Sequence, residues 1–192
     1  MTLLILGLLI FLGLHSLRIF ASAWRDRQVA RLGLKRWKLI YALIALAGLV
    51  LICWGFSLAR LQPVLLYSPP PLLRHLNALF TLVAFVLFFA AKVPRNHLKA
   101  RLGHPQVLAV KVWAFGHLLA IGTLRDVLLF GSFLLWAVVL YIVSRRRDRL
   151  AGTVYPAGTL KADLIVLALG IGVWLLFAFW LHLWLFGVNP LV

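Results

Sequence analysis

The sequence predicts an all-α integral membrane protein, a six-transmembrane-helix bundle with both termini on the periplasmic side. Three observations predict it. The 192 residues are 64% hydrophobic and 12% charged, with a mean hydropathy of +1.03, far too little polar surface for a soluble domain of this length. Six apolar runs recur, at 2–23, 39–59, 73–91, 106–122, 126–143 and 163–186. Of the 20 Lys and Arg residues, 15 fall in alternate connections between those runs, 24–38, 92–105 and 144–162, as the positive-inside rule requires of cytoplasmic segments.

Each run in turn is long enough to consider as a span, since a hydrocarbon core about 30 Å thick takes about 20 helical residues. The runs at 106–122 and 126–143 are the short ones. The pattern is helical, because a closed barrel shows alternating segments of about ten residues instead. The first run lacks a charged leading region and a small-residue cleavage site, so it is expected to be retained. "SPPP" at 68–71 breaks the second connection, since proline cannot donate a backbone hydrogen bond. "GHPQ" at 103–106 puts Pro105 in the first turn of the fourth helix, where a missing N–H costs little. Trp24, Trp37, Trp180 and Trp184 lie near expected helix ends, as interfacial aromatics do.

The net charge of +16 invites a nucleic-acid partner, but the position of the charges argues for membrane lipid, with anionic headgroups as the accompanying contact. The chain has no Glu, and its four acids, Asp26, Asp126, Asp148 and Asp163, all fall in connections or at helix ends. Proton-coupled transporters place carboxylates within the bundle, and a carboxylate pair or a buried Ser–His–Asp triad needs its acid there too. The single Cys53 precludes an intramolecular disulfide and reads as a buried structural thiol.

The histidines carry more information. At about 1.5 Å per helical residue, His15 lies roughly 14 Å from the cytoplasmic boundary on the first helix and His117 roughly 16 Å on the fourth. Two neutral imidazoles at one depth can grip a haem iron from opposite faces; equally, they can simply hydrogen-bond across helices. Arg18 and Lys111 can each pair with a haem propionate or snorkel to the interface. Ser16 can support a ligand or fold back on its own helix. His104 reads as a helix-capping or headgroup contact, His97 as a solvated loop residue, and His75 with His182 as a candidate outer pair.

"FLGLHSLRIF" at 11–20, "GHPQVLAVKVWAFGHLLAIG" at 103–122, "LLFGSFLLWAVVLY" at 128–141 and "LHLWLFGVNPLV" at 181–192 together resemble the NnrU family. The resemblance covers nearly the whole chain as a single transmembrane domain over 1–192. It implies a bacterial inner-membrane protein linked to nitrite and nitric oxide reduction, similar to the plastid 15-cis-zeta-carotene isomerase. That relative implies a non-covalent haem b, with His15 and His117 matching its implicated ligands, and redox-switched isomerisation of an apolar substrate. An electron-transfer role with a membrane redox partner, or an assembly role, stands beside it. Two departures from the family pattern appear: Ile121-Gly122 replaces the usual Asn-Gly, and Gly103 replaces the usual Arg before His-Pro. The His-Pro pair also resembles integral-membrane methyltransferases that use S-adenosylmethionine, but their acidic residues are missing here.

Overall fold

The computed structural model describes residues 1–191, and within them the regular structure is helical. Four helices are long and apolar enough to cross a membrane: α4 (Leu34–Ala59), α5 (Leu72–Lys92), α8 (Leu124–Leu150) and a continuous run over Leu160–Phe186. That run comprises α9 (Leu160–Leu176), a π-helical turn (Phe177–Leu181) and α10 (His182–Phe186). The other two expected spans are shorter helices, α1 (Thr2–His15, 14 residues) and α7 (Pro105–Ala120, 16 residues).

The expected continuous first helix over 2–23 is corrected. It breaks at Ser16 and again at Ala21 (φ −136°, ψ 41°), giving α1, the short α2 (Leu17–Phe20) and the basic α3 (Ser22–Leu32). His15 is therefore the last residue of α1 and not a mid-helix residue, which removes the basis of its depth estimate. Gly33, at φ 78°, separates α3 from α4. The cytoplasmic connection expected at 24–38 is thus largely helical, and the arginine-rich segment after 143 continues α8 to Leu150. Arginine is a good helix former, so charge alone does not end a helix.

The chain divides into two compact units, Met1–Leu66 with Thr123–Ser132, and Tyr67–Gly122 with Phe133–Val192. In the first, α1 packs antiparallel on α4 along a seam of glycines. A Cβ at Gly7 would lie 2.6 Å from the Ile52 nitrogen, and one at Gly55 would lie 2.2 Å from the Leu4 nitrogen. Small residues let backbones approach this closely, which drives helix pairing where lipid competes for apolar contact. Leu4, Leu8 and Ile52 are buried there, while Leu43, Leu46, Val50 and Trp54 face outward. Cys53 is exposed on the outward side, correcting its reading as a buried thiol. At the far end, Asp126 is buried, accepts from the Thr123 hydroxyl and lies 3.6 Å from Arg125 Nε.

In the second unit α5 is central and packs on α7 and on α9. Again the contacts are small: Gly116 meets Asn77 and Phe80, and Gly170 meets Val86. Trp174 Nε1 donates to Thr81 Oγ1 at 3.1 Å across the α5–α9 contact. The buried Asn96 ends α5 by donating to the Ala90 and Val93 carbonyls at 2.8 and 2.6 Å. Its Oδ1 accepts from the Lys99 N–H and caps α6 (His97–Leu102). Pro105 stands at the first turn of α7 as expected, and the 68–71 prolines lie in an irregular connection.

Candidate functional site

His15 ends α1 in the first unit. Its Nδ1–H donates to the Phe11 carbonyl oxygen, one turn back, at 2.7 Å. The ring sits 4.3 Å from the Phe11 ring and 5.4 Å, edge on, from Tyr41 of α4. His117 lies in the last turn of α7 in the second unit. Its Nδ1–H donates to the Trp113 carbonyl oxygen, also one turn back, at 2.8 Å. The Trp113 ring lies 5.3 Å from it, tilted by 54°, and itself meets Phe133 edge on. Gly116 next door admits Asn77, whose buried Oδ1 has no hydrogen-bond partner among the described residues.

The two histidines thus share one local device. A carbonyl can only accept, so each Nδ1 carries the proton, and in the neutral form of such a ring the lone pair lies on Nε2. That is how a metal-bound imidazole is held, its second nitrogen donating to a carbonyl so that tautomer and ring orientation are set in advance. Taken singly, each imidazole has the chemistry of a residue that would hold a haem iron.

The remaining candidates separate. Arg18 is exposed on α2, about one turn beyond His15. Lys111 is half-buried on α7 with no hydrogen-bond or ion-pair partner among the described residues. Ser16 serves as the joint between α1 and α2. His75 is exposed on α5. His182 is the residue that sequence reasoning undervalued. It lies within electrostatic reach of His117, its Nδ1–H donates to the Val188 carbonyl at 2.7 Å, and it follows the π-turn directly. π-turns concentrate at functional sites, but their single extra residue leaves no mark in an apolar sequence.

Sequence reasoning also missed a polar cluster on the second unit. His104 Nε2–H donates to Asp148 Oδ2 at 2.9 Å, and the Tyr155 hydroxyl and Arg145 Nη1 donate to that same oxygen at 2.8 and 3.3 Å. Burial first, then the adjoining Asp148 carboxylate, pushes the Tyr155 phenol above its ordinary value and keeps it a donor. Nearby, His97 Nδ1–H donates to Asp163 Oδ2 at 2.6 Å and its backbone N–H to Oδ1 at 2.9 Å, correcting the reading of His97 as a solvated loop residue. His104 is the residue before the first turn of α7, but its side chain goes to Asp148 and not to the helix end. The signal was present: with four carboxylates in the chain, each one had many cations and donors competing for it.

The NnrU protein family model matches residues 3–190. The chain belongs to the NnrU family. No curated protein and no solved structure matches it.

Gly122 and Gly103 both have a structural role in the second unit. At Gly122 a Cβ would lie 1.9 Å from the Tyr67 carbonyl oxygen, so the glycine is needed where Tyr67 N–H donates to the Gly122 carbonyl at 3.2 Å. The Tyr67 hydroxyl reaches the carbonyls of Leu118 and Ile121, fastening the end of α7 without a side chain from position 121. Gly103 ends α6 at φ 74°, and a Cβ there would lie 2.4 Å from Arg145 Nη1 and 3.1 Å from the Tyr155 hydroxyl. In this NnrU chain a glycine before His-Pro makes room for the cluster around Asp148.

Proposed function

We propose that this NnrU-family protein is a haem b-binding protein of the bacterial inner membrane, with His15 and His117 as the residues that would hold the iron. The observation that carries the reading is their shared Nδ1–H donation to the carbonyl one turn back, at 2.7 and 2.8 Å, which presents Nε2 as the ligating nitrogen in both. Lys111, half-buried without a carboxylate partner, suits a propionate, and Arg18 is the second candidate for that contact. The short α1 and α7 complete a six-span reading with both termini periplasmic, helped by local thinning or by polar flanking residues.

Bound haem b would supply a redox-active iron in an apolar setting. The chain's own residues orient the two imidazoles and surround them with Phe11, Tyr41 and Trp113, a setting that suits an apolar substrate. The resemblance to the 15-cis-zeta-carotene isomerase supports a redox-switched isomerase linked to nitrite and nitric oxide reduction, and a membrane electron-transfer or assembly role is the alternative. His182, within electrostatic reach of His117 and with its Nδ1–H likewise bonded to a carbonyl, is a second candidate ligand.

The test is haem content. Protein expressed with ample haem is expected to show a Soret band that shifts on reduction. His15→Ala and His117→Ala should each lower occupancy or change the ferric spectrum, and the double variant should lose haem. A colourless wild type, or full occupancy in the double variant, overturns the assignment. If His117→Ala and His182→Ala abolish binding while His15→Ala does not, the ligand pair is His117 with His182.

A further inference from the structure

The connector between α1 and α4 carries two kinds of exposed side chain that rarely share a soluble surface. Phe20, Trp24 and Leu34 are 80%, 43% and 52% exposed, so bulky apolar groups stand outside the packed hairpin. Among them Arg27 and Arg31 on α3, and Lys35, Arg36 and Lys38 at the start of α4, are exposed cations. Trp24, Arg27 and Arg31 fall at the i, i+3 and i+7 positions that line one stripe of a helix. Within residues 1–66 the only carboxylate is Asp26, and Arg25 already holds it at 2.6 Å. Arg27, Arg31, Lys35, Arg36 and Lys38 have no carboxylate partner among the described residues. An apolar edge flanked by unneutralised Arg and Lys is the composition of a helix lying in the headgroup layer. An acidic soluble partner would account for the charges but not for Phe20.

This surface is joined to His15 by rings in contact. Trp24 meets the buried Trp37 edge on at 6.0 Å, Trp37 meets Tyr41 at 6.4 Å, and Tyr41 meets His15 at 5.4 Å. α3 itself lies between two non-helical joints, Ala21 and Gly33, and packs on α4 through Trp24. A shift of α3 reaches His15 from two sides, through α2 along the chain and through the rings across α4.

We propose that α3 and the start of α4 form a docking surface for anionic phospholipid headgroups, and that lipid occupancy sets the placement of His15. The lipid contact stands on its own; its bearing on a ligand rests on the assignment of His15 above. Each Lys or Arg at an anionic surface contributes enough that losing three should weaken the contact about a hundredfold.

The test uses the full chain in nanodiscs of phosphatidylcholine alone or mixed with phosphatidylglycerol. Amide hydrogen exchange over 22–32 should slow with phosphatidylglycerol, and high salt should reverse the effect, because exposed charges are screened. The ring signal of His15 in histidine-labelled protein should shift in parallel. Arg27→Gln, Arg31→Gln, Arg36→Gln, a surface triple variant, should remove both responses. Equal exchange in the two lipids overturns the docking surface. Protection by polyglutamate in pure phosphatidylcholine, with none from phosphatidylglycerol, reassigns the surface to an acidic protein. Lipid protection without a shift at His15 overturns the coupling. A colourless preparation that keeps both responses sinks only the haem assignment.

Discussion

Adding one methyl group to the α1–α4 seam tests the packing most directly. In Gly55→Ala the new Cβ would sit 2.2 Å from the Leu4 nitrogen and 2.7 Å from the Leu3 carbonyl carbon. Both are backbone atoms of α1, so no side chain can swing aside. Ordinary contact between such atoms needs roughly 3.5 Å, so α1 must retreat by about 1 Å along much of its length. Overpacking of this kind costs about 1–3 kcal/mol, and a rigid backbone neighbour puts Gly55→Ala at the upper end, near 3 kcal/mol. Gly13 supplies the control from α1 itself, because nothing lies within 4 Å of its Cβ position. There Gly→Ala should be neutral or stabilising by up to about 1 kcal/mol, through helix propensity. Reversible unfolding in mixed detergent micelles would measure both. Gly55→Ala within about 0.5 kcal/mol of wild type, or Gly13→Ala equally harmful, refutes the close approach, since surface-like positions stay within that margin.

The other expectations concern the second unit. The Tyr155 phenol should titrate above pH 10, seen as the ultraviolet phenolate signal lost in Tyr155→Phe. Because its folded value is raised, its contribution to stability is intact below pH 10 and fades as pH climbs through the folded value. A signal at or below 10 contradicts the contact with Asp148. Thr81→Val removes the acceptor of the Trp174 indole and should cost about 0.6 kcal/mol, up to about 1.7, in the same unfolding assay. Gly122→Ala should loosen the end of α7, seen as faster amide exchange at Ile121; unchanged exchange would show that Tyr67 yields freely.

Long apolar runs were legible because about 20 consecutive apolar residues admit few alternatives, and α4, α5 and Leu160–Phe186 fall close to their expected limits. Breaks inside apolar sequence were not legible. Ser16 and Ala21 interrupt the first run although neither is Gly or Pro, and the depth assigned to His15 went with that boundary. Arginine-rich stretches read as loops were helices, since solvation of a charge does not require an irregular backbone. His15 and His117 were singled out by position and by resemblance, whereas the bond each Nδ1–H makes one turn back depends on rotamers and was not legible. The pairing of His104 with Asp148 spans 44 residues, which no local pattern encodes.

The π-turn at Phe177–Leu181 changes the phase of the last helix. One residue more than an α-turn advances everything after Leu181 by about 100° around the axis. Deleting a single residue from that turn would keep the length of the segment nearly unchanged and restore the α-helical ladder. It would also swing the imidazole of His182 a quarter of the way or more around the rod, away from His117. A chain one residue shorter at this point could span the same bilayer and still present a different chemistry.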